Sequence, residues 1–220
     1  MAPIASSGTG AAPGQRHPFL AFTALTVLAC TVLILWLDKP LALWFHRYAA
    51  GAEPFFASFT NAVDAAYEAA NSGGRPMLFW ALGLAYLLGR WVWRRRWATV
   101  FLITLLTHLA SVVSANVLKI AVNRPRPAVL FTPGYSESFS FPSSHTAIYW
   151  SLLLPLAVAF PRWRWPLLAV PALVAVGRLV LGVHYLSDVW AAIWLVAAWT
   201  TLFGLVRRWD RPALAVDKLG

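Results

Sequence analysis

The sequence predicts an all-α polytopic membrane protein, a six-helix transmembrane bundle with an interfacial helix between spans one and two. Three observations carry this. The chain is 60% hydrophobic and only 12% charged, well outside the balance of soluble domains. Its apolar runs approach or exceed the roughly 20 residues that cross a bilayer as a helix. Its cations cluster between those runs, so the net charge of +10 reads as topology and contact with anionic lipid rather than as a nucleic-acid surface. The single cysteine, Cys30, excludes an intrachain disulfide and a cysteine-cluster metal site.

Taken in order, residues 1–17 are rich in Gly, Ala, Ser and Pro and are expected to be a disordered tail. The apolar run behind them outlasts a signal-peptide core. It is therefore expected to remain as the first span, although Val27-Leu28-Ala29-Cys30 has the look of a lipoprotein cleavage site. Spans are expected at 18–37, 77–92, 97–120, 144–160, 165–183 and 187–205, within one domain over 18–206. Pro171 and Gly177 predict a kink in the fifth. Residues 53–70 carry Phe55, Phe56, Phe59, Val63 and Tyr67 at helical spacing, opposed by Asn61, Asp64 and Glu68. This predicts a helix lying on the outer leaflet, with Asp64 and Glu68 on its wetted face. The run Asn71-Ser72-Gly73-Gly74 should end it.

Orientation follows from Lys and Arg. Arg90 and Arg94 to Arg96, then Arg162 and Arg164, then Arg207, Arg208, Arg211 and Lys218 fall on one side when the number of spans is even. That side, with both termini, is expected to be the cytoplasm, and 207–220 a basic cytoplasmic tail of a multi-pass plasma (inner) membrane protein. Lys39, Arg47 and Arg75 fall opposite. Trp36, Trp44, Trp91, Trp93, Trp97, Trp163, Trp165, Trp190 and Trp209 sit near span ends, where indole rings prefer to lie.

Three polar clusters fall on the outer side. Lys119, Arg124 and Arg126 close span three, stopped by Pro125 and Pro127. Arg124 reads as a juxtamembrane cation, whereas Lys119 sits nearer the membrane and needs an anion or a water path. Pro142-Ser143-Ser144-His145 has the chemistry of a helix start, with unpaired N–H groups that suit an anion. Arg178, His184 and Asp188 form the third cluster. His184 and Asp188 are four apart, so on a helix they would share a face, with the carboxylate on one ring nitrogen and the other available to attack. A purely structural His–Asp hydrogen bond is the competing reading. His108 reads as an interhelical hydrogen bond, and His17 and His46 as surface residues.

In order and spacing these clusters resemble the type-2 phosphatidic acid phosphatase family, which shares its site with vanadium haloperoxidases. Lys119 and Arg126-Pro127 match its first motif, Pro142 with Ser143 and His145 its second, and Arg178, His184 and Asp188 its third, over residues 119–188. There are two departures: Ser144 stands where the family has glycine, and Gly177 where it has serine. If the first position is ordinary first-turn helix, Ser144 costs little and adds a donor; if it needs positive φ, Ser144 is strained. Gly177 is expected to let the chain bend where Arg178 enters.

The resemblance implies a membrane-bound lipid phosphatase acting without metal or cofactor. His184 would be the nucleophile, Asp188 its orienting partner and His145 the general acid. Lys119, Arg126, Arg178 and the N–H groups of Ser143 and Ser144 would hold the phosphoryl oxygens. The implied partners are a lipid phosphate and the bilayer. Polyprenyl pyrophosphate, phosphatidylglycerophosphate and phosphatidic acid all qualify, the first being preferred by family analogy. The alternatives are a lipid phosphotransferase and a non-enzymatic lipid-binding or transport protein. Arg178 lies six residues from His184, off its face on a straight helix, so Gly177, Gly182 or a break must turn it toward a phosphate.

Overall fold

The computed structural model describes residues 17–71, 76–134 and 139–205. Of the expected tail at 1–17, residues 1–16 lie outside these residues and His17 begins a helix; the expected tail at 207–220, with its cations and Trp209, lies outside them too, as do Ser72, Gly73, Gly74 and Arg75. Among the described residues every regular element is a helix. Helix α1 (His17–Val32) passes through a π-helical turn (Leu33–Leu37) into α2 (Asp38–Tyr48), so the helix does not stop at residue 37. Helix α3 (Glu53–Ala69) starts on Pro54, a residue suited to the first turn. Helix α4 (Met77–Leu87) also ends in a π turn, Leu88–Val92. Then come α5 (Thr99–Val122), α6 (Ser144–Ala159), α7 (Arg164–Val180) and α8 (Leu186–Gly204).

Among the described residues four stretches are long and apolar enough to cross a membrane: Phe19–Tyr48, Arg96–Leu130, Pro161–Val180 and Leu186–Gly204. Met77–Val92 and Ser144–Ala159 are apolar but shorter. The apolar residues that face outward fit hydrocarbon: Ile120, Trp80, Trp91 and Trp165 are all more than 70% exposed. Small residues let the central helices approach closely. Ala115 of α5, Ala147 of α6 and Ala192 of α8 form one buried cluster with Leu195 and Val196. Ala175 and Leu179 of α7 meet Val189 of α8 in a second.

Hydrogen bonds between helices pair several of the polar side chains. Trp194 Nε1 donates to Thr23 Oγ1 at 3.1 Å, and Trp199 Nε1 to Ser114 Oγ at 3.1 Å. Buried His108 has the interhelical partners expected of it, Tyr67 Oη at 3.1 Å and Ser151 Oγ at 2.9 Å. His46 is exposed and stacks on Phe131. On α3 the inner face is Phe56, Thr60, Val63, Asp64 and Tyr67, while Asn61 and Glu68 are exposed. Asp64 therefore lies on the packed face, not the wetted one. It is four residues from Thr60 and three from Tyr67, and helical spacing overrides its charge.

Candidate active site

The site is built where the ends of α5 and α7 meet the starts of α6 and α8. Helix α7 stops at Val180, and Gly182 takes φ +64. A Cβ there would sit 2.6 Å from Phe131 Cζ, so both the backbone conformation and the space require glycine. The chain then folds back, and the N–H groups of Val183 and His184 both donate to the Arg178 carbonyl at 3.2 Å. This turn supplies the break needed to bring Arg178 and His184 to one place. Gly177 stays inside α7 and does not bend the chain; its role is close approach, since a Cβ there would lie 3.1 Å from Phe56 Cδ1 and 3.3 Å from Thr60 Oγ1 of α3.

His184 and Asp188 do not share a helix face. His184 lies in the connecting turn, and Asp188 is in the first turn of α8. The Asp188 carboxylate reaches back to accept the Tyr185 N–H at 2.8 Å, a side-chain cap favourable at a helix N-terminus. The same oxygen lies 3.5 Å from His184 Nδ1, an ion-pair approach too long for a good hydrogen bond, and Nδ1 has no hydrogen-bond partner. Both side chains are buried. Burial pushes the His184 imidazole down to about 4 from an ordinary 6.5, with the charges of Arg178 and Lys119 acting the same way and Asp188 opposing. The folded state thus holds His184 neutral, and the stability this brings is lost as the pH falls from 6.5 toward 4.

The other Asp188 oxygen leads to Arg124, which from sequence reads as a juxtamembrane cation. Arg124 Nη1 donates to Asp188 Oδ1 and to Ser187 Oγ, each at 2.7 Å, and its Nη2 donates to Asp38 Oδ2 at 2.8 Å. Its guanidinium lies over the Tyr185 ring at 4.1 Å. Asp38, from the start of α2, is buried and also accepts from the N–H and hydroxyl of Ser187. One guanidinium thus joins two buried carboxylates, one of them beside His184. A carboxylate at the end of an apolar span was the signal available in the sequence, because it demands a partner.

The start of α6 is docked onto the same centre. Ser140 N–H donates to the Arg124 carbonyl at 2.7 Å, and Lys119 Nζ to the Phe139 carbonyl at 3.1 Å. Ser143 is the N-cap; its Oγ accepts from Thr146 Oγ1 at 2.9 Å and from Thr146 N–H at 3.4 Å. The Ser143 N–H already donates to the Asp188 carbonyl at 3.2 Å, so it ties α6 to α8 instead of facing an anion. The next N–H groups, of Ser144 and His145, lie in the first turn, where a helix has no internal acceptor for them. Ser144 is ordinary helix, outside the positive-φ residues, so it carries no backbone strain. His145 Nε2 lies 3.2 Å from Asp64 Oδ2 of α3, a partner that the sequence reading missed.

The charges of Arg126 and Arg178 both reach Lys119. The charges of Lys119 and Arg178 also reach both His145 and His184. Two histidines, each beside its own carboxylate, therefore share one cationic surroundings at a helix N-terminus, where an anion is favoured. The family profile of the PAP2 superfamily matches residues 100–212.

The chain belongs to the PAP2 superfamily.

Within this superfamily it is similar to the lipid A 1-phosphatase of Rhizobium etli, at 34% identity over 106 residues, covering 44% of this chain and 45% of that protein. It is similar also to the undecaprenyl-diphosphatase of Sulfolobus acidocaldarius, at 26% identity over 120 residues, covering 52% and 58%. The matches thus span about half the length of these curated relatives. The fold resembles the crystal structure of the first transmembrane PAP2 type phosphatidylglycerolphosphate phosphatase from Bacillus subtilis, with TM-score 0.61, 17% identity, and coverage of 89% of this chain and 98% of that one. The PAP2 match begins inside α5, so Asp38 and Asp64 lie outside it.

Proposed function

We propose that this PAP2 protein hydrolyses a phosphate monoester or pyrophosphate on a membrane lipid through a phosphohistidine. The observation that carries this is the buried His184 beside Asp188, with Lys119 and Arg178 in electrostatic reach both of it and of His145. His184 attacks phosphorus through Nε2, the nitrogen away from Asp188, and Asp188 favours the cationic ring that results. Lys119, Arg126, Arg178 and the N–H groups of Ser144 and His145 neutralise the phosphoryl oxygens. His145 protonates the leaving oxygen, then takes a proton from the water that cleaves the phosphohistidine.

In this reading the six apolar helical stretches all cross the bilayer, α3 lies at its surface, and the site faces away from the cytoplasm. Cations at 90–96 and 162–164 on the opposite side support that orientation. A polyprenyl pyrophosphate is the preferred substrate; the name of the Sulfolobus relative is consistent with it. Purified protein is expected to release phosphate from a panel of polyprenyl pyrophosphates, phosphatidylglycerophosphate and phosphatidic acid, at the same rate with and without EDTA. Loss of activity on chelation overturns the mechanism. Release that needs an acceptor lipid makes the protein a phosphotransferase.

The pH profile is a second check. With His184 at about 4, its neutral form prevails across mildly acidic pH. The acid limb of kcat/KM, corrected for substrate ionisation, is expected to fall well below 6.5. An acid limb at the ordinary histidine value counts against His184 as the buried nucleophile.

A further inference from the structure

The Asp64 carboxylate is bound on both oxygens by residues of α6 one turn apart. Oδ2 meets His145 Nε2, and Oδ1 accepts the Tyr149 hydroxyl. The packing of α3 directs it there. Phe56 and Thr60 lie against Gly177, where a side chain would intrude, and Asp64 follows Thr60 by one turn on the same face. Helix α3 thus grips α7 beside Arg178 and α6 at His145. Three charged groups face His145 from the surrounding elements: Lys119 of α5, Arg178 of α7 and Asp64 of α3. Burial and the two cations disfavour an imidazolium, and Asp64 is the carboxylate that opposes them.

From this geometry we infer that Asp64 is a positioning residue for the proton-transfer step, orienting His145 through Nε2 and favouring its protonated form for that step. The inference rests on the hydrolase reading above. Nε2–H stays on Asp64 while Nδ1–H faces the leaving oxygen. As the His184 Nε2–P bond forms and the P–O bond to the leaving group breaks, the Nδ1 proton moves to that oxygen and His145 becomes neutral. In the second step Nδ1 takes a proton from water, the water oxygen bonds to phosphorus, and the N–P bond breaks to release phosphate and His184. The two histidines are thus used in mirror fashion. His184 turns Nδ1 to its carboxylate and works through Nε2, and His145 does the reverse.

The test is the leaving-group dependence of kcat/KM, which reports steps up to P–O cleavage. The substrates are an alkyl phosphate, a poor leaving group, and p-nitrophenyl phosphate, a good one. General acid catalysis is worth about 10²–10⁴-fold, so Asp64→Asn is expected to lose roughly 30-fold on the alkyl phosphate and no more than about 3-fold on the aryl one. Asp64→Glu, which restores a carboxylate, is expected to recover part of the loss, and Tyr149→Phe to lose less than Asp64→Asn. Equal losses on both substrates, or none, overturn the inference. If His145→Gln is selective for leaving group and Asp64→Asn is not, only the role of Asp64 falls. If wild-type protein hydrolyses neither substrate, the hydrolase reading falls with it. A thermal melt of Asp64→Asn within a few degrees of wild type separates misfolding from this effect, and failure of Asp64→Glu to recover any activity in a destabilised background also counts against the inference.

Discussion

His184→Ala is expected to abolish phosphate release from lipid phosphates, by at least roughly a thousandfold, while leaving the fold in place. The loss follows from removing the imidazole that lies beside Asp188. The fold survives because no hydrogen bond depends on this imidazole through Nδ1, which has no partner. Asp188 keeps its contacts to Arg124 and the Tyr185 N–H when the ring is gone. Incubation with a substrate labelled on phosphorus, quenched in alkali, is expected to trap an acid-labile phosphoprotein with wild type and none with His184→Ala. Near-normal turnover in the variant, with an unchanged melting temperature, would falsify the phosphohistidine scheme.

Arg124→Gln is expected to cost both stability and activity. Removing one partner of a buried charge cluster strands the others, at about 3–5 kcal/mol. Here two carboxylates would be left in place of one balanced bridge, Asp38 from α2 and Asp188 from α8. Arg124→Lys is not a conservative repair, because a point charge cannot meet both carboxylates as the guanidinium fork does. Asp38→Asn in the Arg124→Gln background removes one stranded charge. The double variant is therefore expected to be more stable than the two single losses predict, with a coupling of at least about 1 kcal/mol. Additivity within experimental error in equilibrium unfolding would show that the cluster is not a unit.

The three motifs were legible because each carries its chemistry within a few residues. Lys119 with Arg126, the Pro142–His145 helix start, and Arg178 with His184 and Asp188 come together as the spacing suggested. The local shape was less legible. Helical periodicity put His184 and Asp188 on one face, whereas Gly182 ends α7 first and a capping turn makes the pairing instead. The carboxylates that engage Arg124 and His145 were not legible. Asp38 meets Arg124 across 86 positions of chain and Asp64 meets His145 across 81, and no local pattern records such pairings. For Asp64 the error was one of face. A charge was assigned to water when its spacing from Thr60 put it inward. For Ser143 the error was one of competition, since another helix start had already taken its N–H.

The π turn at Leu33–Leu37 gives the first helix a phase that its length alone would not. Thr26 accepts from Trp190 of α8, and Asp38 meets Ser187 of the same helix. Twelve residues separate Thr26 from Asp38. In a regular α-helix twelve residues turn the side chain by about 120° past whole turns, pointing Asp38 away from α8. The Asp38 N–H instead bonds to the Leu33 carbonyl, five residues back, and the wider turn absorbs one residue. Eleven effective steps leave a difference of only about 20°, so one edge of the helix serves both contacts. A single inserted residue in the first helix acts as the key that puts the Asp38 carboxylate in register with the Arg124 guanidinium that also holds Asp188.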